Sequence, residues 1–430
     1  MSQPADISAQ PIPVYAGAEA LERLKTLNVL AGEQNAIISE RVAAIIAQVH
    51  TEGETALRRL AQQFGDPSPE SFALNETEIA TAIAAVSPDM KRILERAAGN
   101  IRAFGEAAMQ AVTPFTLENT DCRTGLDWKP VERVACYVPG GRFPLPSTAL
   151  MTAITAQTAG VPDIAIFSPD LRNETIYAGH LAGVKRFYRL GGAQAVAAAA
   201  FGVVSDNAFD MVVGPGNAYV TEAKRQLQGI IGIDMLAGPS EVAIIADSGA
   251  NPAWIAIDLL AQAEHDSNAR AYLLTDSQAV ADATAYEVSQ WLTKHPELPA
   301  HLHQADQWGT IFVLPSVADC IEASNALAPE HLELLVADPH AIKSNLLHYG
   351  ALFMGYQTSV PVGDYMAGPN HTLPTARAAR FSGTLNPLTF LRPQSWIEKA
   401  SDAKSFTQDI AQFARVEGLL AHALSTEVRL

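Results

Sequence analysis

Asp163 to Leu227 read DIAIFSPDLRNETIYAGHLAGVKRFYRLGGAQAVAAAAFGVVSDNAFDMVVGPGNAYVTEAKRQL. A unit repeats here. The apolar runs DIAIFSP, VKRFYRLGG and FDMVVGPGN are each followed by a stretch of helical composition: NETIYAGHLAGV, AQAVAAAAFG and AYVTEAKRQL. This alternation of strand, turn and helix predicts right-handed crossovers and a parallel sheet. Ligands of such sheets bind beyond the carboxyl ends of the strands, where Gly191, Gly192, Gly214 and Gly216 fall. GPGNAY supplies the first two glycines of a dinucleotide loop, but Tyr219 stands at the third and no acidic residue is clearly placed for a ribose. On its own the loop reads as a tight strand-to-helix turn.

Downstream, GIDM and EVAIIAD are β-type runs around LAGPS, and Asn251-Pro252 stand where an N-cap and first helical position belong. In the helix they predict, Trp254, Ile255, Ile257, Leu259, Leu260 and Ala263 wrap most of the cylinder, which implies burial on more than one side. Gln262 and His265, at i,i+3 spacing, share one face near its end; alone, the pair reads as a polar helix end. ARAYLLT and GTIFVLP with an Ala-rich helix between them predict another α/β layer, and His301 and His303 in HPELPAHLHQAD read as a solvated loop. Upstream, Ala18 to Gln110 reads as helices, with Ser87-Pro88-Asp89 a start signal and His50 a surface or packing residue. Pro114 to Val138 predicts a hairpin or edge pair around TDCRTG, and PGGRFPLPSTALM a loop feeding a helix through Ala159. Beyond Pro393 the chain turns helical, and Glu417 and His422 there belong to no local core.

A chain of 430 residues is too long for one core and predicts two or more domains. Asp and Glu outnumber Lys and Arg 46 to 29, a formal charge of -17 that argues against nucleic acid and for a small polar substrate. Cys122, Cys136 and Cys320 are widely spaced and odd in number, which suggests neither a disulfide framework nor a thiolate zinc site. The first twenty residues hold no Lys, Arg or continuous apolar run, and the longest nearly apolar stretch, AQAVAAAAFGVV, is too short to span a bilayer. A cytoplasmic protein without membrane or nucleic-acid partners is expected.

The remaining polar points fall in order: AGPSE with Ser240, AQAEHD, APEHLEL with Glu330 and His331, VGDYMAGPNH with Asp364 and His371, and EGLLAHA with Glu417 and His422. Together these resemble histidinol dehydrogenase, the zinc- and NAD-dependent enzyme that completes histidine biosynthesis. The resemblance covers nearly the whole chain, most strongly from about Val131. It implies an α/β fold of two Rossmann-like, aldehyde-dehydrogenase-like parallel-sheet domains in an intertwined homodimer. Residues 1–29 would form an N-terminal helical segment, 30–136 with 242–382 a discontinuous α/β domain carrying the zinc and substrate site, 137–241 the NAD-binding domain, and 383–430 a C-terminal helical tail completing the partner's site.

The family's positions fall here on Gln262, His265, Asp364 and His422 as ligands of one Zn2+ per subunit, and on Tyr137, Gln194 and Asn217 as NAD contacts. His331 would be the base that accepts the alcohol proton, and Glu330 would activate the water that attacks the aldehyde. Ser240, His371 and Glu417 would join His331 and the metal ligands around L-histidinol, Glu417 suited by charge to the substrate ammonium. Imidazole, amide and carboxylate donors suit a zinc that keeps open positions. The chain departs from the family after PNHTLPT, where it reads ARAARF in place of a Gly-rich segment, and at Pro361. Two other readings stand beside this one: a zinc and NAD-dependent dehydrogenase of another small primary alcohol, such as a sulfonated propanediol, and a non-catalytic zinc-binding scaffold.

Overall fold

The repeat over residues 163–227 folds as its alternation predicts, in a computed structural model that describes residues 11–27, 36–65, 69–140 and 145–430. Five parallel strands, β4 (Arg133–Tyr137), β5 (Asp163–Ser168), β6 (Arg186–Arg189), β7 (Met211–Val213) and β8 (Gly232–Ile233), stand in the order β6-β5-β4-β7-β8. Successive side chains point to opposite faces. One face therefore buries Val134, Cys136, Ile166 and Val213, and the other Ala135, Tyr137, Phe167 and Val212. Crossovers run through α6 (Pro146–Thr158), α7 (Asn173–Leu181), α8 (Gly192–Phe201) and α9 (Ala218–Leu227). In α8 the residues from Ala193 to Ala200 are all buried, because small side chains let the helix approach the sheet, and Gly202 ends it in the left-handed conformation at φ 67°.

A second parallel sheet has six strands in the order β1-β11-β10-β9-β12-β13. These are β1 (Val14–Ala16), β9 (Glu241–Ala246), β10 (Arg270–Thr275), β11 (Gly309–Val313), β12 (His331–Leu335) and β13 (Ala351–Met354). Its helices are α1 (Gly17–Leu27), α10 (Pro252–Ala263), α11 (Gln278–Lys294), α13 (Val317–Leu327) and the short α12 (Ala305–Trp308), α14 (Pro339–Ile342) and α15 (Val360–Tyr365). Asn251 caps α10, its side chain accepting from Ala253 N at 3.0 Å, as the Asn-Pro signal predicts. An antiparallel sheet of β2 (Phe115–Glu118), β3 (Cys122–Pro130) and β14 (Leu391–Lys399) follows the predicted hairpin, and α16 (Lys404–Val416) pairs with α17 (Leu420–Glu427) at the C-terminus.

Packing redraws several boundaries. The helices α2 (Ala36–Glu52), α3 (Glu54–Phe64), α4 (Glu76–Ala85) and α5 (Pro88–Met109) bury Val42, Leu57, Ala82 and Ile101 against the first sheet, so they do not join residues 242–382. β4 likewise puts 133–136 in the first sheet. Residues 11–27 are no separate segment, since β1 pairs with β11. β14 was hidden by its Pro393 and by exposure along most of its length; it is the edge of its sheet, where a proline removes no ladder bond. Trp254 and Ile257 remain 45% and 36% exposed, so α10 is buried on one side, not two. His301 and His303 do not form a solvated loop: they lie in a 3-10 turn, with His303 buried and His301 Nε2 donating to the Ala263 carbonyl at 2.9 Å.

Candidate functional site

At the amino-terminal edge of the second sheet, β9 and β12 start side by side, with His331 paired to Val242. Glu241 N donates to Glu330 Oε2 at 2.9 Å, and His331 Nδ1 donates to the Glu241 carbonyl at 3.1 Å. That second bond fixes the tautomer: Nε2 keeps its lone pair and points toward Asp364, whose Oδ1 is 4.0 Å away. His371 is held in the same way, Nδ1 on the Asp364 carbonyl at 3.1 Å and Nε2 beside Thr148 Oγ1 at 3.3 Å. Thr148 belongs to α6, and Asn370 donates to the Met151 carbonyl of that helix at 2.7 Å, so residues 370 and 371 bring the first-sheet body up to the cluster.

Burial dominates the electrostatics here. It pulls His331 and His371 down to about 4, helped by the nearby His265, so both imidazoles are neutral at pH 7. It pushes Asp364 and Glu241 up to about 7, and Glu330 well above the usual carboxylate range with help from the charges of Glu241 and Asp364. Hydrogen bonding from Ser240 and Glu241 N works against that rise. A pocket of crowded, desolvated acids is one in which a bound cation offsets mutual repulsion.

The carried-over metal donors lie in three places. α10 ends at Ala263, so His265 sits beyond the helix and the i,i+3 argument for one helical face does not hold; the His301 bond to the Ala263 carbonyl and the turn in which Asp266 Oδ1 accepts from Asn268 N at 2.8 Å take the chain out of the helix. His265 is nonetheless close enough to influence both His331 and His371, and Tyr365 feels Asp364 and Glu264 together, which places the end of α10 against α15. Gln262 is 3% exposed, and its buried Nε2 has no hydrogen-bond partner. A buried amide without partners fits a residue whose polar end serves a ligand outside the chain. Glu417 and His422 are exposed on the α16–α17 hairpin. Among the described residues no three His, Cys, Asp or Glu side chains stand together as a metal cage. Gln262, His265 and Asp364 thus offer an amide, an imidazole and a carboxylate from neighbouring elements, a donor set that fits zinc with a position still to be filled.

The ARAARF departure borders this cluster directly. Ala376 and Arg377 adopt left-handed backbone, φ 50° and 66°, where a glycine-rich segment would be unstrained. The loop is tied down regardless: Ala376 N donates to Glu241 Oε1 at 3.1 Å, and Gly238 N donates to Thr375 Oγ1. Pro361 is accommodated in the first turn of α15, where its missing N–H leaves no bond unmade.

Sequence reasoning passed over one buried pair. Glu333, two residues along β12 from His331 and fully buried, accepts from Val360 N at 2.9 Å and shares a proton-mediated contact with Asp258 of α10. Burial raises both carboxyls, Asp258 to about 6. One pair thereby joins β12, α10 and α15, the elements carrying His331, Gln262 and Asp364. Alternation in APEHLEL puts Glu333 on the same face as His331, the one signal that pointed to it.

Tyr137, Gln194 and Asn217 meet at the carboxyl edge of the first sheet, lining a cavity of about 760 Å³. Gly192 N donates to the Tyr137 hydroxyl at 3.0 Å; Asn217 caps α9, accepting from Tyr219 N at 3.0 Å and Val220 N at 3.2 Å. A Cβ on Gly191 would strike the Pro169 ring, and one on Gly214 the Tyr137 carbonyl, so these glycines let the chain pack closely around the cavity. Beneath the loop, the buried Lys224–Asp234 pair is hydrogen-bonded at both ends of Gly214, through its carbonyl and its N–H. Residues 141–144 of the PGGRF loop lie outside the described residues.

A family model described as histidinol dehydrogenase matches residues 30–430. The histidinol dehydrogenase of Geobacillus kaustophilus is 42% identical over 395 residues, covering 90% of this chain and 93% of that protein. That of Prochlorococcus marinus is 39% identical over 418 residues, 96% and 95% of the two chains. The crystal structure of histidinol dehydrogenase from Elizabethkingia anophelis superposes with a TM-score of 0.89 at 31% identity, over 97% of this chain and 98% of that one.

Proposed function

The chain belongs to the histidinol dehydrogenase family, oxidising L-histidinol to L-histidine as the last step of histidine biosynthesis, and we propose how its residues divide that work. The observation that carries the reading is the cluster of the buried Glu330 and His331 with the half-buried His371 and Asp364, with its two oriented, neutral imidazoles. NAD would be held in the cavity of Tyr137, Gln194 and Asn217 and would supply the hydride acceptor, and zinc would be held by Gln262, His265, Asp364 and His422 and would supply Lewis-acid chemistry toward the substrate.

His331 Nε2 receives the alcohol proton as the hydride leaves the carbinol carbon, its Nδ1–H resting on the Glu241 carbonyl throughout. The product of that step is L-histidinal. Glu330 then takes a proton from the water that attacks the aldehyde carbon to give the hydrate, a second hydride leaves the same carbon for a second NAD, and the remaining hydroxyl proton is released to solvent as the carboxylate forms. Glu330 must be ionised for this, and its bonds from Ser240 and Glu241 N favour the charged form against burial. His371 and Ser240 line the substrate, and Glu417 faces its ammonium.

We assign Glu417 and His422 to the site of a second copy in a homodimer. The support is their exposure on a hairpin that also leaves Phe413 67%, Val416 79% and Val428 78% exposed. We also place the enzyme in the cytoplasm, on its three unpaired thiols; among the described residues no helix is long and apolar enough to cross a membrane.

Purified protein given zinc, NAD and L-histidinol should form two NADH per histidine. A sulfonated propanediol or simple primary alcohols should give none. NADH formed from another alcohol and not from histidinol would overturn the substrate assignment, and bound zinc without turnover on any alcohol would leave only a scaffold.

A further inference from the structure

We propose that Arg41 of α2 is the cation that binds the pyrophosphate of the dinucleotide, an inference that rests on the reading of the 760 Å³ cavity as the NAD site. Among the described residues that line this cavity, Arg41 is the one charged side chain. The rest of the wall is apolar or neutral: Leu60 and Phe64 from α2's neighbour α3, then Tyr137 at the end of β4, Gln194 in the first turn of α8 and Asn217 at the cap of α9. A dinucleotide brings two phosphate charges to this wall, and the chain as a whole carries -17, so the overall field opposes the approach. A local positive charge is what the ligand's chemistry needs.

The guanidinium is also aimed. Arg41 Nη1 donates to the Tyr219 hydroxyl at 3.2 Å, across 178 residues of sequence. Tyr219 is the second residue of α9, whose N-terminus Asn217 caps at the cavity wall. This single bond uses one of five guanidinium donors and holds the others beside the start of α9. The start of α8 at Gly191 and Gly192 lines the same cavity. Two helix N-termini contribute positive dipole ends to one space, and Arg41 adds a full charge with forked geometry matched to phosphate oxygens. α2 itself is fixed by Val42, Ile45 and Val49 buried against the first sheet's core, so the residue does not wander with its helix.

The test uses full-length zinc-loaded protein and measures equilibrium binding of NADH by its fluorescence, with ADP and adenosine as competitors. Arg41→Ala should weaken NADH and ADP by about tenfold, the loss expected for one charge-assisted contact, and leave adenosine, which has no phosphate, unchanged. The affinity of the wild type for NADH should fall with added salt more steeply than that of the variant, and Arg41→Lys should restore part of the loss. Circular dichroism and zinc content of Arg41→Ala should equal the wild type. Unchanged NADH and ADP binding would overturn the proposal, as would an equal weakening of adenosine, which would make Arg41 a wall residue only. Ala44→Trp, which fills the cavity from the exposed face of α2, separates the two levels of the argument. If NADH still binds Ala44→Trp at full affinity, the cavity is not the dinucleotide site and the reading beneath falls with the proposal. If Ala44→Trp blocks NADH while Arg41→Ala binds normally, the cavity stands and only Arg41 is refuted.

Discussion

Asp258→Asn should make the enzyme more stable at neutral pH, and by an amount that depends on pH. Asp258 folds with its carboxyl raised to about 6 by burial, against a hydrogen bond from Glu333 that works to lower it. A carboxyl raised in the folded state contributes its stability in full below the unfolded value of 3.8 and loses it as pH climbs through 6. At about 1.4 kcal/mol per tenfold change in proton affinity, the ionised wild type is penalised by about 3 kcal/mol at pH 8 and about half that at pH 5. Part of Asp258 reaches solvent, and screening trims the larger figure to roughly 2–3 kcal/mol. Asparagine has the shape of the protonated acid and still accepts from the Glu333 carboxyl, so it keeps the contact and escapes the penalty. For a folding unit of about 150–250 residues, such as the body on the second sheet, that corresponds to a rise in melting temperature of roughly 4–12 °C at pH 8 and about half as much at pH 5. Scanning calorimetry at the two pH values measures it, with zinc analysis as a check that Gln262, one turn further along α10, has kept its place. A fall in melting temperature at pH 8, or an equal shift at both values, would refute the reasoning, because either result would mean that Asp258 stays ionised without penalty.

His265→Asn and Asp364→Asn should each lose zinc on dialysis and with it activity, while circular dichroism stays that of the wild type; full zinc content in both would rule out these ligands. Glu330→Gln should keep some alcohol-to-aldehyde hydride transfer and convert added L-histidinal very poorly, and an equal loss of both steps would assign Glu330 a shared or structural role. Ala376→Gly should relieve left-handed backbone at φ 50° and raise stability by up to about 1 kcal/mol, read from the same melting curves; a loss would show that the loop had settled the strain elsewhere. Inactive His265→Asn and His422→Asn subunits, mixed under conditions of verified exchange, should recover roughly a quarter of wild-type activity, since a two-fold interface leaves one site of each mixed dimer with neither defect. No recovery would place His422 in its own subunit's site.

What the sequence could show is governed by how local the cause is. The first sheet was legible because strand, turn and helix follow one another within residues 163–227, and each crossover is set by its own apolar run. The caps at Ser87 and Asn251 were legible for the same reason: their partners, Met90 N and Ala253 N, lie two or three residues away. β14 was not, because its partner strand β3 lies more than 260 residues earlier and its own side chains face solvent. The end of α10 was not, because the group that occupies the Ala263 carbonyl is His301, 38 residues on. Periodicity would have carried the helix to His265, and only the folded chain shows the stop.

The cluster itself was legible as residues and not as geometry, and the difference is physical. APEHL and AGPSE each give side chains at the start of a strand, but the working arrangement depends on β9 and β12 being neighbours, so that the backbone N–H and C=O of Glu241 serve Glu330 and His331 respectively. A parallel sheet makes that neighbour relation by crossover, over 90 residues, and no local pattern encodes it. The same logic bears on what one chain leaves undone. A buried amide on Gln262 without a partner, a strand-edge imidazole on His331 presenting Nε2, and a helical hairpin that carries Glu417 and His422 on an apolar surface open to solvent are separate irregularities when each is taken alone. A second copy laying its hairpin over the amino edge of the second sheet would resolve them together, since it buries the apolar surface and brings an imidazole and a carboxylate to the place where polar groups lack partners.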